Sequence, residues 1–581
     1  ILLGLEQKNV SIMFFIEMLI VSILSIICGV VLGVLFSQVV TAIIYNSINQ
    51  EVIFEFRFYL DTLVITFVFF ISMYFVIGIY NSMYINKLKL IDMLNIQKQS
   101  EFKFKKSKTT YFIIFLLSVF MYFICGLFTY KFVILKDFSN FEALNMTLAS
   151  GVILISFIIG TYSFFYSISY IIILIKEKYL NIKYEGTNLF LIGSIVSKIK
   201  TTPILISSIS ISFLGALISF VLVIILSLWS VGYLESRVPF DIAIRNDNYL
   251  VKDLKDLPKL DYKEVIIYLK EKGYNIKDFE EVEKYIINKE ELNKEPNMKK
   301  PLAISLSDFN KMRKMLGYKE IKLKENEYTT QWYNQSNQED INKYIKENKT
   351  ITVDNKNLKL SQNSYYIDSL DEGLYNFYTE YTALIVLPDN TCKNLSVLEK
   401  DFFAMIDKNM SYDDASEFEY EFIPSWFKNN NKEFIKKYEN THRFVYSRIK
   451  SAETNEILNS TLGMRIVGIY LGIILFMISL TILSLQQLTD SIEHKDRFKV
   501  IRKLGIEEND INKIVLKQVG IYFLLPIFFA VIGFNIFMYV FYELYKDFLT
   551  VYVKSSVLVS NLSLAITVVL ILLVKYIYLK Y

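Results

Sequence analysis

The chain is poor in the residues that most often carry chemistry. It has 2 histidines and 3 cysteines in 581 residues. Cys28 and Cys125 sit in apolar runs, which leaves no disulfide framework and no cysteine metal site with Cys392. His442 and His494 are far apart, so a histidine-based metal centre is excluded on the same ground. There is no G-x-x-x-x-G-K-[ST], hence no phosphate-binding loop in this chain, and no G-x-S-x-G, H-E-x-x-H or C-x-x-C. Paired carboxylates such as Asp413/Asp414 and Glu280/Glu281 occur in charged surroundings and read as solvated faces. Ionisable residues are scarce within the apolar runs: Glu17 lies near one end of its run and Asp61 near the end of another. A relay of protons across a bilayer is therefore not encoded. No nucleic-acid signal and no catalytic constellation emerge.

What the chain has is apolar length. Hydrophobic residues make up 53% and charged residues 21%, with a mean hydropathy of +0.33. That is too apolar for an ordinary soluble enzyme and too charged to be all membrane. The charge gathers in the middle, which implies a water-exposed domain inserted into an integral membrane α-helical protein. Eight segments are long enough to cross a hydrocarbon core of roughly 30 Å: residues 11–45, 58–82, 110–131, 146–175, 203–233, 463–487, 516–545 and 556–577. Lysine is abundant in loops 83–108 and 176–200 and in the 488–515 stretch, and sparse in loops 46–57, 132–145 and 546–555. The positive-inside rule puts the rich loops in the cytoplasm, the insert at 235–460 outside, and the C-terminus inside.

The insert reads as a folded α+β extracellular domain. Residues 263–293 are charged and helical in pattern. Ser307 is read as the N-cap of a helix carrying Met312, Met315 and Leu316 and closed by Gly317. Residues 351–353 and 358–360 flank Asp354, Asn355, Lys356 and Asn357 as a hairpin, and 382–387 is a short buried strand ending at Pro388. Gly29 with Gly33, and Gly468 with Gly472, form GxxxG pairs suited to close helix packing.

The stretch from Leu488 to Gln518 organises the rest. Phe498, Ile501 and Leu504 share one helical face, with Lys495, Lys499, Arg502 and Lys503 around it. Gly505 is placed to end that helix, and Glu507 and Glu508 suit the first turn of the next. The expectation is a short surface helix, a sharp turn, then a membrane helix. The turn recurs at the start of the chain: Leu3, Gly4 and Glu6 match Leu504, Gly505 and Glu507. Only the second copy has a surface helix before it, so an upstream part carrying at least one membrane helix is expected.

Asp490 to Phe498, running on to Arg502-Lys503-Leu504-Gly505, resembles the second coupling region of the FtsX-like (MacB-type) ABC permeases. The bacitracin- and lantibiotic-resistance permeases are the branch it is most similar to. Ile304 to Asn310, Leu316-Gly317 and Leu323 to Tyr328 resemble a segment of that branch's extracellular domain. Asn188 to Phe190 and Ile195 to Ile199 resemble the run before it.

The resemblance implies ten membrane helices in the full protein, eight of them in this chain. It divides the chain into a first FtsX-like half at 1–82, a basic loop with middle helices at 83–234, the extracellular domain at 235–460, and a second half at 461–581 with a coupling helix at 490–505. It implies a non-catalytic permease in the bacterial cell membrane, with no cofactor of its own. ATP and Mg would be bound by a dimer of partner ATPases that dock on Leu3, Gly4, Glu6, His494, Arg497, Arg502, Lys503, Leu504 and Gly505. Its other implied partners are membrane lipids, a membrane histidine kinase, and a peptide antibiotic or its complex with a lipid-linked pyrophosphate precursor of the cell wall. Arg237, Arg465 and Lys554 are the cations topology offers to such a pyrophosphate. Two readings compete: an FtsX-like regulator of a cell-wall hydrolase, and a peptide sensor that uses no ATPase.

Overall fold

The structure is a computed structural model. It describes residues 6–47, 60–87, 108–131, 143–178, 203–294, 299–375, 377, 379–438, 444–503 and 508–552. In chain order the main elements are α1 (Gln7–Ser47), α2 (Leu60–Lys87), α3 (Lys108–Thr129), α4 (Ala143–Lys178), α5 (Pro203–Arg237), β1 (Ile242–Asn246), α6 (Lys263–Glu271), β2 (Ile276–Ile286), β3 (Ala303–Ser305), α7 (Leu306–Met315), β4 (Glu327–Trp332), α8 (Gln338–Glu347), β5 (Thr350–Val353), β6 (Lys356–Tyr366), β7 (Ala383–Leu387), β8 (Ser396–Ile406), α9 (Tyr412–Glu417), α10 (Ile423–Asn430), α11 (Lys432–Tyr438), β9 (Val445–Ile449), α12 (Lys450–Lys503) and α13 (Glu508–Tyr552). They form two compact units. Of the described residues, one comprises those within 6–223 and 465–544; the other comprises those within 224–464 and 545–552.

The first unit is helical. Together with the stems of α5 and α12 it supplies 7 spans long and apolar enough to cross a membrane among the described residues. The eighth span expected from the sequence, 556–577, lies outside them. Without a hydrophobic drive between helices in lipid, close packing and small residues must hold such a bundle. That is what pairs α1 with α2: the Phe15 ring lies 2.8 Å from where a Cβ on Gly78 would stand, and it meets Phe75 edge-on. Tyr122 donates to Thr161 Oγ1 across α3 and α4 (3.2 Å). Tyr162 and Ser208 join α4 to α5 at 2.8 Å. Phe164 stacks on Phe529 of α13, and Phe165 meets the same ring edge-on. Helix α5 also meets α12 through Phe213 and Phe476, and meets α13 where Leu214 faces Gly533.

The second unit is built on a mixed sheet of 9 strands in the order β5-β6-β4-β7-β3-β2-β8-β1-β9. Among the described strand pairs, β3–β7 and β4–β6 run parallel and the rest antiparallel. Alternate residues face opposite sides. Ile242, Ile244 and Phe402 join Tyr262 and Trp426 in one core. Ala243 and Phe403 join Val282, Phe309 and Leu384 in the other. Both faces are therefore covered, and large side chains such as Tyr262, Phe402 and Phe309 are fully buried, each stabilising by about 1.5–3 kcal/mol.

Three local expectations change. Residues 276–286, expected to be helical, form the central strand β2 between β8 and β3. Its charges mislead because one of them, Lys284, is paired inside the sheet (2.6 Å to Glu399, 2.9 Å to Asp401). The cap of α7 is Ser305, whose hydroxyl accepts from the Asp308 N–H, and not Ser307. The 354–357 loop is tighter than expected. Val353 pairs with Lys356, and Asp354 and Asn355 take φ of 48° and 60°, a two-residue turn of the kind hairpins favour. Gly317 closes α7 at φ +78°, with Tyr318 N–H on the Arg313 carbonyl and Gly317 N–H on that of Lys314. Residues 383–387 form the wholly buried strand β7, as read from the sequence.

Candidate functional site

The basic stretch expected to be a separate surface helix is the last part of α12, one helix of 54 residues that starts directly after β9. No glycine or proline occurs between Gly472 and Gly505, so nothing in the sequence breaks it. It runs to Lys503, and α13 opens at Glu508. Arg502 and Lys503 are exposed in the last turn, where cations complement the helix dipole. His494 and Arg497 lie on the same helix. Leu504 and Gly505, like Leu3 and Gly4 at the other copy, lie outside the described residues. Glu6 is exposed just before α1, and its carbonyl accepts from Asn9 N–H (3.0 Å) and Val10 N–H (3.3 Å).

The four paired glycines divide. Gly468 and Gly472 lie on the face of α12 against α5. The side chain of Val223 lies 2.5 Å, and the Phe220 ring 2.8 Å, from where their Cβ atoms would stand. At Gly29 and Gly33 nothing among the described residues stands within 4 Å of that position.

The three cations proposed from topology also divide. Arg237, at the end of α5, donates through Nε to Glu372 Oε2 (2.7 Å) and through Nη1 to the Tyr233 hydroxyl. Arg448, on β9, donates to the same Glu372 oxygen at 2.8 Å and reaches Glu453 at 3.3 Å. One carboxylate thus ties the end of α5 to the strand that leads into α12. Arg237 is thus already in an ion pair with Glu372. Arg465 is 5% exposed. Lys554 lies outside the described residues.

Two features of the sheet domain were missed by sequence reasoning. The first is the buried charge group of Lys284, Glu399 and Asp401. Backbone N–H groups of Asn246 and Asn248 add to it, donating to Asp401 (2.9 Å) and Glu399 (3.3 Å). Burial, with Asp247 and Asp401 near, pushes the Glu399 carboxyl up to about 7 against the pull of Lys284. The second is a cavity of about 410 Å³, whose lining includes Lys299, Lys300, Tyr344, Glu347, Tyr381 and Leu398. Neither had a local signal, because each is assembled from strands and loops distant in sequence. No group of three or more metal-ligating side chains occurs among the described residues.

Residues 1–90 match the family model for the FtsX-like permease C-terminal region. No curated protein matches the chain. The match supports the FtsX/MacB-type superfamily of ABC transporter permeases, which are generally non-catalytic membrane components and typically partner with ABC ATPases. The membrane-spanning helices agree with a membrane protein carrying a separate sheet domain.

Proposed function

We propose, from the FtsX-like match and the continuity of α12, that this chain is the permease of an ABC transporter protecting the cell from peptide antibiotics that attack the cell wall. In this reading a dimer of ATPase subunits binds ATP and Mg and docks on the basic end at 490–505 and on the matching turn at 3–6. The sheet domain faces outward. With the membrane helices it engages the peptide, or its complex with a lipid-linked pyrophosphate precursor, and ATP hydrolysis frees the target. The protein also reports drug load to a membrane histidine kinase.

The observation that carries the reading is α12 itself. At 1.5 Å per residue its 54 residues span about 80 Å, from the last strand of the sheet domain to the basic end. In this reading the continuous helix is the route by which movement at one end reaches the other. The other chemistry fits: a basic helix end and a folded polar domain, with the energy supplied in this reading by another subunit.

The test is co-purification of an ABC ATPase expressed together with the full-length protein. We expect the ATPase to copurify with wild type and to be lost from the double variant Arg497→Glu, Gly505→Pro. If no ATPase accompanies wild type, the permease reading fails and the ATPase-independent sensor replaces it.

A further inference from the structure

Burying a cation without a close counter-charge is costly, and among the described residues of the sheet domain every buried cation but one lies in an ion pair. Lys284 lies 2.6 and 2.9 Å from two carboxylates, Arg313 2.6 Å from Asp368, and Arg448 2.8 Å from Glu372. Lys299 is 6% exposed and lies in no ion pair among the described residues. Its ammonium donates to the Tyr249 carbonyl and sits 6.0 Å from the Tyr249 ring centre. Two of its three N–H groups are left to match. Burial pushes it below the usual lysine range, against the pull of the Glu399 and Asp247 carboxylates beyond ion-pair distance.

Lys299 forms part of the wall of the 410 Å³ cavity, with Lys300 beside it. The carboxylates in that wall already have partners. Glu291 holds Lys294 at 2.9 Å and the Lys300 N–H at 3.3 Å. Glu347 accepts the Tyr381 hydroxyl at 3.1 Å, and Glu380 faces Lys343 at 3.5 Å. Glu347 meets a neutral hydroxyl and keeps its charge, so with Lys299 and Lys300 in the wall the balance left over is a single positive charge. Leu302, Ile385 and Leu398 line it with apolar surface, and Thr350, Ile351 and Thr352 of β5 form one side. Strand β5 ends the sheet, so its outer backbone edge has no strand partner among the described residues.

We propose that this cavity binds the free C-terminal carboxylate of a short apolar peptide. The carboxylate meets Lys299, an apolar side chain lies on Leu302, Ile385 and Leu398, and the chain leaves along the edge of β5 by strand addition. A volume of about 410 Å³ suits a ligand of dipeptide size. A bare phosphate would satisfy Lys299 but leave the apolar wall and the strand edge unused. The site belongs to the sheet domain alone and stands whether or not the chain is a permease.

The test is calorimetric titration of the full-length protein in detergent with N-acetyl-leucyl-leucine and with its C-terminal amide. The acid is expected to bind, and the amide to bind at least about tenfold more weakly, because it cannot ion-pair with the ammonium. Lys299→Met is expected to lose the preference for the acid, and Lys299→Arg to keep part of it. The comparison of acid and amide on the wild-type protein needs no variant, so a misfolded substitution does not remove the test. Equal binding of acid and amide, or binding of neither at millimolar concentration, would overturn the proposal. So would inorganic phosphate displacing the acid at equal concentration, since the site would then read an oxyanion and not a peptide.

Discussion

Glu399 shows how one buried carboxyl ties stability to pH. Lys284 can neutralise one of its two carboxylate neighbours, and burial raises the proton affinity of both Glu399 and Asp401. The carboxyl of Glu399 moves from an ordinary 4.5 up to about 7. Its folded-state affinity for a proton thus exceeds its unfolded-state affinity. The stabilising contribution is complete below about 4.5 and is lost as pH rises toward 7, amounting to at most about 3 kcal/mol. Unfolding of the sheet domain, followed through Trp332 and Trp426 fluorescence, should therefore show a melting temperature that falls across this window. Glu399→Gln mimics the protonated acid and leaves Lys284 paired one-to-one with Asp401, so its profile should be flatter. An identical slope in the two proteins would mean that Glu399 does not titrate there. Removing the cation instead, as in Lys284→Met, strands two buried carboxylates and should cost about 3–5 kcal/mol.

At the level of the element, the start of α7 separates two serines that the sequence offers equally. The Ser305 hydroxyl accepts the Asp308 N–H at 3.0 Å. Ser307 contributes its own backbone N–H to Asp389 at 2.9 Å, a bond that needs no side chain, and its hydroxyl reaches only the Ser305 hydroxyl at 3.0 Å among the described residues, not a helix N–H. Ser305→Ala should cost about 1 kcal/mol, which in a domain of this size lowers the melting temperature by about 2–4 °C. Ser307→Ala should stay within about 0.5 kcal/mol, and a thermal melt that reversed the order would refute the assignment. The same contrast explains what was legible. Features set by neighbours in the chain could be read: the Gly317 stop, the Asp354-Asn355 turn, the apolar strand at 383–387, and the long apolar spans. Strand β2 could not, because Ile276 to Ile286 carries charges whose partners come from β8, more than a hundred residues on. Lys299 was invisible for the same reason: nothing beside it in sequence tells that Tyr249, Tyr344 and Tyr381 gather around one cavity. The basic stretch was legible as a helix. Its continuity with the membrane span was missed because a change from apolar to basic composition was read as a boundary, although no breaker stands there.

For the whole molecule, that continuity separates two ways of building a coupled permease. If the basic end at 490–505 acts only as a dock, a break in α12 above it changes nothing but local stability. If α12 carries movement, a break must uncouple the ends while leaving each intact. Thr489 is a suitable place. It is exposed, it follows the last apolar residues of the span, and its hydroxyl donates only to the Leu485 carbonyl one turn back. Thr489→Pro removes the backbone N–H to that same turn and kinks the helix, at a cost of about 3 kcal/mol confined to this position. Under the proposed function, the ATPase should still copurify with Thr489→Pro, because the docking residues Arg497 to Gly505 are unchanged. Protection against peptide antibiotics should nevertheless fall to the level of a deletion strain, and binding of N-acetyl-leucyl-leucine to the sheet domain should be unaffected. Thr489→Ala, which keeps the helix, serves as the control and should behave as wild type. Full resistance in the proline variant would show that α12 does not carry the signal, and would shift the transmitting role to α5, whose far end is tied by Arg237 and Glu372 to the strand preceding α12.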